Sequence, residues 1–326
     1  MSIKVMKPGL ATTVQDQGRE GYYHLGIPPS GAMDQYSMTL ANLLVNNNEN
    51  DAVLECALLG PELRFEQDAM IAVCGARMSP KINGDIMPLD TAVSIKAGQI
   101  LSFTYPVAGA RAYLAVAGGL DLPLALGSRS TYTLGSLGGY KGRRLEAGDE
   151  LPIGIQEYAA KEGQSIPSEF LPTIEKHTTL RIIPGMYIHR LTDDAVTRFY
   201  EDQWTVGSEA DRIGYRLKGG RPMDFNPREQ PFGAGSDPSN IVDACYPIGS
   251  IQIPAGKEPI VLHRDAVSGG GYATIGTVIS ADMDLIGQMQ PNYTTQFTPI
   301  SMDEALIARK LKQQKLNQVR TLLKHG

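Results

Sequence analysis

Short apolar runs, most of them closed by turn-forming residues, constrain the fold of this chain more than any other feature of the sequence. Most of the runs contain β-branched or aromatic residues, and Gly, Pro, Asn or Asp flank most of them. This pattern is typical of a β-barrel or β-sandwich and predicts a mainly β protein. The runs are residues 2–5, 70–73, 92–95, 100–105, 111–116, 180–183, 251–253, 259–262 and 274–279.

Two segments have helical periodicity instead. Residues 34–45 place apolar side chains on one side, and residues 302–324 form a C-terminal helix that Ser301 and Glu304 open with a capping-box spacing. We predict that the basic residues of the second helix form a face exposed to solvent; the alternative is a docking surface for a partner.

The length of 326 residues and the ordinary hydrophobic content of 42% favour two domains. Residues 156–177 are polar, contain two prolines and have little periodicity, so they predict a connection with its boundary near residue 173. The predicted domains are an N-terminal β-barrel, 1–172, and a C-terminal β-barrel with the C-terminal helix, 173–326.

A weak internal repeat supports this division. IKVMKPGL from Ile3 resembles LRIIPGMY from Leu180, and GREGYYHLG from Gly18 resembles DRIGYRLKG from Asp211. Two related barrels explain the match, although a repeat this short also arises by chance.

Several classes of function are not indicated. The net charge of −5 has no acidic or basic block before the C-terminus, which argues against a nucleic-acid partner. No window approaches the roughly 18 consecutive apolar residues of a membrane span. The three cysteines lie far apart and are read as buried thiols in a reducing cytoplasm, so we expect a cytoplasmic protein.

The familiar catalytic motifs are missing as well. The chain has no GxxxxGK[ST] nucleotide loop and no GxSxG nucleophile elbow, and its five histidines lack the spacing of a metal site. We therefore predict that this chain has no metal site and no ATP site of its own.

The polar segment TTVQDQGREGYYHLGIPPSGAMD, residues 12–34, is the strongest candidate for a binding site. Its glycines and prolines suit a rigid loop, and rigid polar loops commonly bind ligands. Its candidate residues are Gln15, Asp16, Arg19, Ser30 and Asp34.

Three further loops carry candidate residues. Ser128 and Arg129 follow Gly127, where a turn can cradle a carboxylate, although a plain surface turn fits equally well. Arg212 and Arg216 form either a ligand site or an internal salt bridge. Asp265 precedes three glycines, which allow a close approach by a flat ligand or by another backbone, or form a tight turn.

The segments 12–34, YLAVAGGLDLPLALGSRSTY, DRIGYRL, IGSIQIPAGKEPIVL and GGGYATIGTVISADMDLIGQMQP resemble the successive motifs of the allophanate hydrolase subunit 2 family. That family includes the C subunit of 5-oxoprolinase, the antagonist of a sporulation-kinase inhibitor, and half of the carboxyltransferase domain of urea carboxylase. The resemblance runs from about residue 3 to residue 308. It implies a pair of cyclophilin-like β-barrels and a partner of related fold, a subunit 1 protein that resembles the B subunit of 5-oxoprolinase.

The family's motifs carry over onto most of the candidate positions. They add Gln252, Gly270, Gly271 and Tyr272 to the candidates. The predicted catalytic residues are Asp16, Arg19 and Asp265. The predicted substrate-binding residues are Gln15, Ser30, Asp34, Ser128, Arg129, Arg212, Arg216, Gln252, Gly270, Gly271 and Tyr272. The chain departs from the family at Asp211, at residues 267–269 and at Ala273.

Three functions follow from the resemblance. The first is the C subunit of an ATP-dependent 5-oxoprolinase, which opens 5-oxo-L-proline to L-glutamate together with subunit 1 and a LamB/YcsF-like subunit; ATP is used by the complex. Arg19, Arg129 and amides near Gly270 would hold the substrate, and Asp16 or Asp265 would be the general base.

The second function is half of a biotin-dependent carboxyltransferase. Because the chain has no biotinyl-lysine motif, the biotin would arrive on a separate carrier protein. The third is a non-catalytic antagonist that binds a subunit 1 protein of the kinase-inhibitor type.

Overall fold

The protein is described by a computed structural model that covers residues 2–325, with side chains through Leu323. Two compact units make up these residues. The first contains residues 2–20, 30–174 and 313–325, and the second contains residues 21–29 and 175–312. Compared with the predicted domains 1–172 and 173–326, the segment 21–29 lies with the second unit and the end of the C-terminal helix lies with the first.

Strands dominate both units, and every predicted apolar run coincides with a strand. The elements of the first unit are β1 (Ser2–Lys7), β2 (Ala11–Gln15), α1 (Gln35–Leu44), β3 (Val53–Ala57), β4 (Glu62–Phe65), β5 (Ala69–Gly75), β6 (Pro80–Ile82), β7 (Asp85–Ile86), β8 (Ala92–Ile95), β9 (Ile100–Phe103), β10 (Arg111–Val116) and β11 (Glu150–Pro152). Those that follow are β12 (His177–Pro184), α2 (Asp193–Glu201), β13 (Trp204–Val206), β14 (Gly214–Lys218), β15 (Asn240–Cys245), β16 (Ser250–Gln252), β17 (Ile260–Leu262), β18 (Gly269–Tyr272), β19 (Thr274–Val278), α3 (Met283–Gln288), β20 (Thr294–Pro299) and α4 (Met302–His325).

In the first unit the strands form two sheets. One has the order β11-β1-β4-β9-β6-β7 and the other β2-β3-β10-β5-β8. The second sheet is buried on both faces, as the side chains of its strand β10 show. Its Ala112, Leu114 and Val116 join the core with the first sheet's Ile3 and Phe65.

The opposite face of β10 belongs to a second core. Tyr113 and Ala115 pack there with Met38 and Leu44 of α1 and with Val319 of α4. A strand covered on both sides needs apolar residues at nearly every position, as RAYLAV has. The buried strand therefore places its tyrosine next to the loop that precedes α1.

The second unit is built on a closed barrel of seven strands in the order β12-β19-β16-β17-β14-β13-β20. Parallel pairing of β12 with β20, from His177 opposite Thr294 to Ile182 opposite Pro299, closes it. The fold is mainly β, as the sequence predicted; of the two predicted barrels, that of the second unit is closed, whereas the strands of the first unit form two sheets.

The two helices predicted from the sequence, 34–45 and 302–324, are confirmed as α1 and α4. The capping box also forms, since the Ser301 backbone amide and hydroxyl donate to Glu304 Oε2 at 2.8 and 2.7 Å. Helices α2 and α3, of nine and six residues, were not predicted from the sequence.

The basic side chains of α4 are less uniformly solvated than expected. Arg320 donates two hydrogen bonds to Glu49, at 2.5 and 2.7 Å. Lys312 pairs with Asp284, and Lys315 lies over the Tyr36 ring, whereas Lys310 is exposed. The predicted solvated face is therefore only part of the basic surface; Lys324 lies outside the described side chains.

The cysteines correct one prediction. Cys56 and Cys74 are buried, but Cys245 is exposed at the end of β15.

The two segments of the second part of the sequence repeat have different structures. The segment from Gly18 is a loop with a short 3₁₀ turn, whereas the segment from Asp211 runs into β14. Within residues 2–325, no helix is long and apolar enough to cross a membrane.

Candidate functional site

The predicted site residues divide between the two units. We therefore describe one cluster for each unit. The cluster of the first unit contains Gln15, Asp16, Arg19, Ser30, Asp34, Ser128 and Arg129. The cluster of the second unit contains Arg212, Arg216, Gln252, Asp265, Gly270, Gly271 and Tyr272.

Asp16 follows β2 and is the centre of the first cluster. Its Oδ1 accepts hydrogen bonds from the Gly18 amide at 2.8 Å, from Ser128 Oγ at 2.7 Å and from the Ser130 hydroxyl. Its Oδ2 accepts from the Arg129 amide. A carboxylate that is 2% exposed and surrounded by four donors holds the Ser128–Ser130 turn in place.

Arg19 is a buried cation beside this turn, with 2% of its surface exposed. Its Nη2 donates to the Ser130 carbonyl, and its Nε lies 3.5 Å from the Ala125 carbonyl. Gly138, in a left-handed backbone with φ of 68°, leaves room for the guanidinium; a Cβ there would lie 2.7 Å from Nη2. The cation is therefore enclosed by backbone carbonyls.

Arg129 differs from Arg19 because its side chain is 29% exposed. Its Nε donates to the Leu122 carbonyl at 2.7 Å, and its Nη2 lies 3.4 Å from the exposed carboxylate of Asp121. The guanidinium is thus oriented by one backbone bond and still reaches solvent. Of the two arginines in the first cluster, Arg129 is the one that can meet an incoming carboxylate without rearrangement.

Three consecutive backbone amides after Gly31 are each held by a distant group. The Ala32 amide donates to the Asp16 carbonyl at 2.9 Å. The Met33 amide donates to Glu55 Oε2 at 2.9 Å, and the Asp34 amide to the Tyr113 hydroxyl at 2.8 Å. We call this arrangement the amide clamp.

The clamp follows Ser30, which has the left-handed φ of 54° that is uncommon outside glycine. Ser30 is fully buried, and its hydroxyl has no hydrogen-bond partner among the described residues. Strained backbone of this kind persists only where its surroundings over-determine it, which is what the clamp supplies.

Glu55 and Tyr113 were missed by the sequence analysis. The Tyr113 hydroxyl donates to Glu55 Oε2 at 2.9 Å, and the Arg111 Nε lies 3.6 Å from Glu55 Oε1. Burial, followed by the charge of Glu55, raises the pKa of Tyr113 well above its ordinary value. A glutamate inside the otherwise apolar strand VLECA was the signal that could have revealed them.

Two other predicted residues have local structural contacts. Asp34 is the N-cap of α1, and its carboxylate accepts from the Ser37 amide at 2.8 Å and the Ser37 hydroxyl at 2.6 Å. Gln15 is fully buried, and its Nε2 donates to Thr13 Oγ1 at 3.0 Å and to the Thr131 carbonyl at 3.2 Å.

The second cluster contains an internal salt bridge. Arg212 Nε and Nη2 contact the two carboxylate oxygens of Asp265 at 2.8 and 3.0 Å, and Asp265 is 3% exposed. Arg216 lies 3.0 Å from Glu209 and 3.3 Å from Glu258. Both arginines therefore make ion pairs in the structure, and their role in ligand binding stays a prediction.

The three glycines form strand β18, which pairs with β15. The backbone of β15 therefore lies close to the three glycines, and the segment is a strand rather than a tight turn. The Tyr246 hydroxyl donates to the Tyr272 carbonyl at 2.6 Å and accepts from the Tyr272 amide at 2.8 Å. A Cβ on Gly270 would lie 2.9 Å from the Tyr246 ring, so this position needs a glycine.

Tyr23 joins this arrangement from the segment 21–29, donating from its hydroxyl to the Tyr246 carbonyl at 2.8 Å. Burial raises the pKa of both tyrosines. Gln252 is 9% exposed at the end of β16 and lies beside Gly270, where a Cβ would be 3.8 Å from Gln252 Nε2. Among the described residues, no group of three or more His, Cys, Asp or Glu side chains is arranged to hold a metal ion.

Comparison with known proteins identifies related chains along nearly the whole sequence. The family model described as "Carboxyltransferase domain, subdomain A and B" matches residues 25–299. The urea amidolyase of Lachancea kluyveri is 36% identical over 98% of this chain, and the C subunit of the Escherichia coli 5-oxoprolinase is 34% identical over 97% of it.

The share of each relative that is matched differs greatly. This chain covers 97% of the Escherichia coli 5-oxoprolinase chain but only 18% of the Lachancea urea amidolyase. Among solved structures, the Kluyveromyces lactis urea carboxylase superposes with a TM-score of 0.91 at 35% identity, over 100% of this chain and 29% of that one.

Proposed function

The chain belongs to the carboxyltransferase domain family, subdomains A and B, and from this premise we propose that it is the C subunit of a 5-oxoprolinase complex. The reaction is the ATP-dependent opening of 5-oxo-L-proline to L-glutamate, in which water adds across the lactam C–N bond. The proposal includes two partners, a subunit 1 protein of related fold and a LamB/YcsF-like protein, with ATP used by the assembled complex.

One observation carries the proposal. Two relatives that bear the name of the 5-oxoprolinase C subunit, from Escherichia coli and Haemophilus influenzae, are covered over 97% and 95% of their lengths. This chain therefore has a counterpart for nearly every part of such a protein. For the urea amidolyases, more than four fifths of the relative lies outside the match.

The chemistry requires a group that binds the substrate carboxylate and donors for the oxyanion that develops on the lactam oxygen. Arg129 suits the first task, since its guanidinium is partly exposed and its Nε is already oriented by the Leu122 carbonyl. In this proposal Asp16 and Arg19 position the Ser128–Ser130 turn, which contains Arg129, and do not contact the substrate themselves. Their polar atoms already bond to this turn.

The contacts of Asp265 also bear on its predicted role as the general base. Both carboxylate oxygens of Asp265 accept hydrogen bonds from Arg212, so both atoms that could take a proton from substrate already have a partner. Asp265 is accessible as a base only if the pair opens when substrate binds. An Asp265→Asn variant tests this directly, because it removes the base and retains a side chain of the same shape.

The test is reconstitution with the co-encoded partner proteins, measuring ATP hydrolysis and glutamate release from 5-oxoproline with and without this chain. We expect product only when the chain is present. Arg129→Ala should raise KM about tenfold or more through loss of a charge-assisted contact. Arg64→Ala is the matched control, because Arg64 pairs with Glu66 at the surface of the same unit.

A second function, half of a biotin-dependent carboxyltransferase, is favoured by the TM-score of 0.91 with a urea carboxylase. In that case carboxybiotin on a separate carrier protein would donate its carboxylate to an acceptor such as urea. An assembled complex that releases no glutamate but consumes carboxylated carrier would replace the first proposal by this one. Tight binding of subunit 1 with neither activity would indicate the non-catalytic antagonist.

A further inference from the structure

A cleft in the first unit lies apart from the predicted site residues. It has a volume of about 680 Å³, within the range of roughly 300–1,000 Å³ that small-molecule sites occupy. Neither the seven candidate residues of the first unit nor any from the second line it. Its walls come from the end of α1 and the loop that follows, from residues 155–158 and from α4.

The loop after α1 forms a rigid polar wall. Asn47 Nδ2 donates to the Val116 carbonyl at 2.8 Å, and its Oδ1 accepts from the Gly118 amide at 2.8 Å. Asp51 Oδ2 accepts from the Asn48 amide at 2.8 Å. The asparagine therefore ties the wall to the end of β10, and the aspartate keeps a fixed position at the cleft.

The charge of the cleft is negative. Arg320 is the basic residue of the lining, and Glu49 neutralises it through two hydrogen bonds. Asp51 and Glu157 are the acidic residues of the lining, and among the described residues neither makes an ion pair. Burial raises the pKa of Asp51, and the charge of Glu157 acts in the same direction, while Arg129 opposes it.

The lining also contains two aliphatic side chains at its base and two large side chains at its mouth. Leu43 and Leu323 are partly buried on the core side. Ile155 is 85% exposed and Tyr158 is 68% exposed, so both side chains at the mouth of the cleft have apolar surface that a ligand can cover. The ring of Tyr158 also presents a face on which a cation can rest.

We infer that this cleft binds a small organic ammonium compound with an apolar body. Its ammonium group would pair with Asp51 and Glu157, and its apolar part would cover Ile155, Tyr158 and Leu323. An anion would face two carboxylates with only a neutralised arginine to meet it, and an uncharged apolar molecule would leave Asp51 without a counter-charge. The inference is independent of the proposed function.

The test uses the full chain and two probes of nearly equal size, phenethylammonium and 2-phenylethanol, titrated by saturation-transfer NMR. We expect the ammonium to bind at least about tenfold more tightly than the alcohol, because only the cation gains the charge-assisted contacts. Asp51→Asn should weaken ammonium binding by about tenfold, and Glu157→Gln by about threefold, since Glu157 is exposed to water.

Asp51→Asn retains an oxygen that accepts from the Asn48 amide, so the wall is expected to keep its shape. Asp85→Asn is the matched control, because Asp85 is an exposed carboxylate of β7 in the same unit and does not line the cleft. Equal affinity for the two probes, an unchanged affinity in Asp51→Asn, or no saturable binding of either probe would overturn the inference.

Discussion

At the residue scale, buried polar side chains of this protein hold backbone rather than face outward. Asp16 accepts four hydrogen bonds, and the bond from Ser128 joins residues 112 positions apart. Glu55 and Tyr113 hold the amides of Met33 and Asp34 in the same manner. Because a buried donor without a partner costs free energy, these groups stabilise one conformation of the polar loop.

The amide clamp predicts the effect of Tyr113→Phe. The substitution removes the acceptor of the Asp34 amide and a donor to Glu55, so we expect a loss of about 1–3 kcal/mol in the free energy of unfolding. Hydrogen exchange measured by mass spectrometry should increase in peptides covering residues 30–37. Tyr105→Phe, at a ring that is 74% exposed, is the control. Uniform exchange increases across the chain, without a local maximum there, would contradict the clamp.

The Arg212–Asp265 pair gives a second prediction. Arg212→Ala leaves a buried carboxylate without its bidentate partner, so we expect destabilisation of about 3–5 kcal/mol in chemical unfolding. Arg64→Ala, which breaks an exposed pair, should cost about 1 kcal/mol or less. Adding Asp265→Asn to Arg212→Ala should recover part of the loss; no recovery would mean that the stranded charge is not the cause.

At the element scale, short elements depend on contacts beyond their own sequence. Strand β18 has three glycines and no side-chain signal, and it forms because β15 offers a partner and Tyr246 holds Tyr272 at both its amide and its carbonyl. Helix α2 has nine residues and is capped by Thr192, whose hydroxyl accepts from the Ala195 amide at 3.2 Å. Elements of this kind are poorly visible to periodicity.

The end of α2 gives a pH prediction. Arg221 donates to Asp202 from Nη2 at 2.6 Å and from its backbone amide at 2.7 Å, and this pairing lowers the pKa of Asp202. A pKa lowered by folding stabilises the protein above the ordinary value of 3.8, and that stabilisation disappears as the pH falls through the lowered pKa.

We therefore expect Asp202→Asn to lower Tm near neutral pH, and the difference from the parent protein to shrink as the pH falls below about 4. Thermal unfolding followed by circular dichroism over that range measures it. Asp85→Asn, at an exposed carboxylate of β7, is the control for the loss of one carboxylate at the surface. A Tm difference that grows on acidification would have the wrong sign for this ion pair.

At the scale of the whole molecule, α4 contributes to both units. Its residues up to Lys312 belong to the second unit and those from Gln313 onward to the first. Val319 is fully buried in the core that contains Tyr113 and α1. The last turns of the chain are therefore part of the first unit's core, which a division of the sequence at one boundary does not anticipate.

Val319→Ala tests this contribution. Removing two buried methyl groups should lower the free energy of unfolding by about 2 kcal/mol, through lost burial and the cavity left behind. Leu322→Ala is the control on the same helix, because Leu322 is 46% exposed and should have a much smaller effect. Equal losses for the two variants, measured by denaturant unfolding, would mean that burial of Val319 is not what stabilises this end of the helix.

The sequence by itself determined the strand-rich class, the positions of nine strands, both long helices and the family, but not the six-residue strands β15 and β20. These depend on alternation of apolar residues, on turn-forming residues and on motifs that lie within a few positions of one another. The capping box of Ser301 and Glu304 is a local pattern of the same kind, and it forms as predicted.

Only the tertiary structure decided what the polar residues contact. Asp265 was a candidate base and lies in a salt bridge, Asp34 was a candidate ligand and caps α1, and Glu55 was not predicted at all. The physical reason is distance along the chain: the partner of a buried carboxylate is set by which strands become neighbours, and that depends on packing of the whole unit rather than on local residue order.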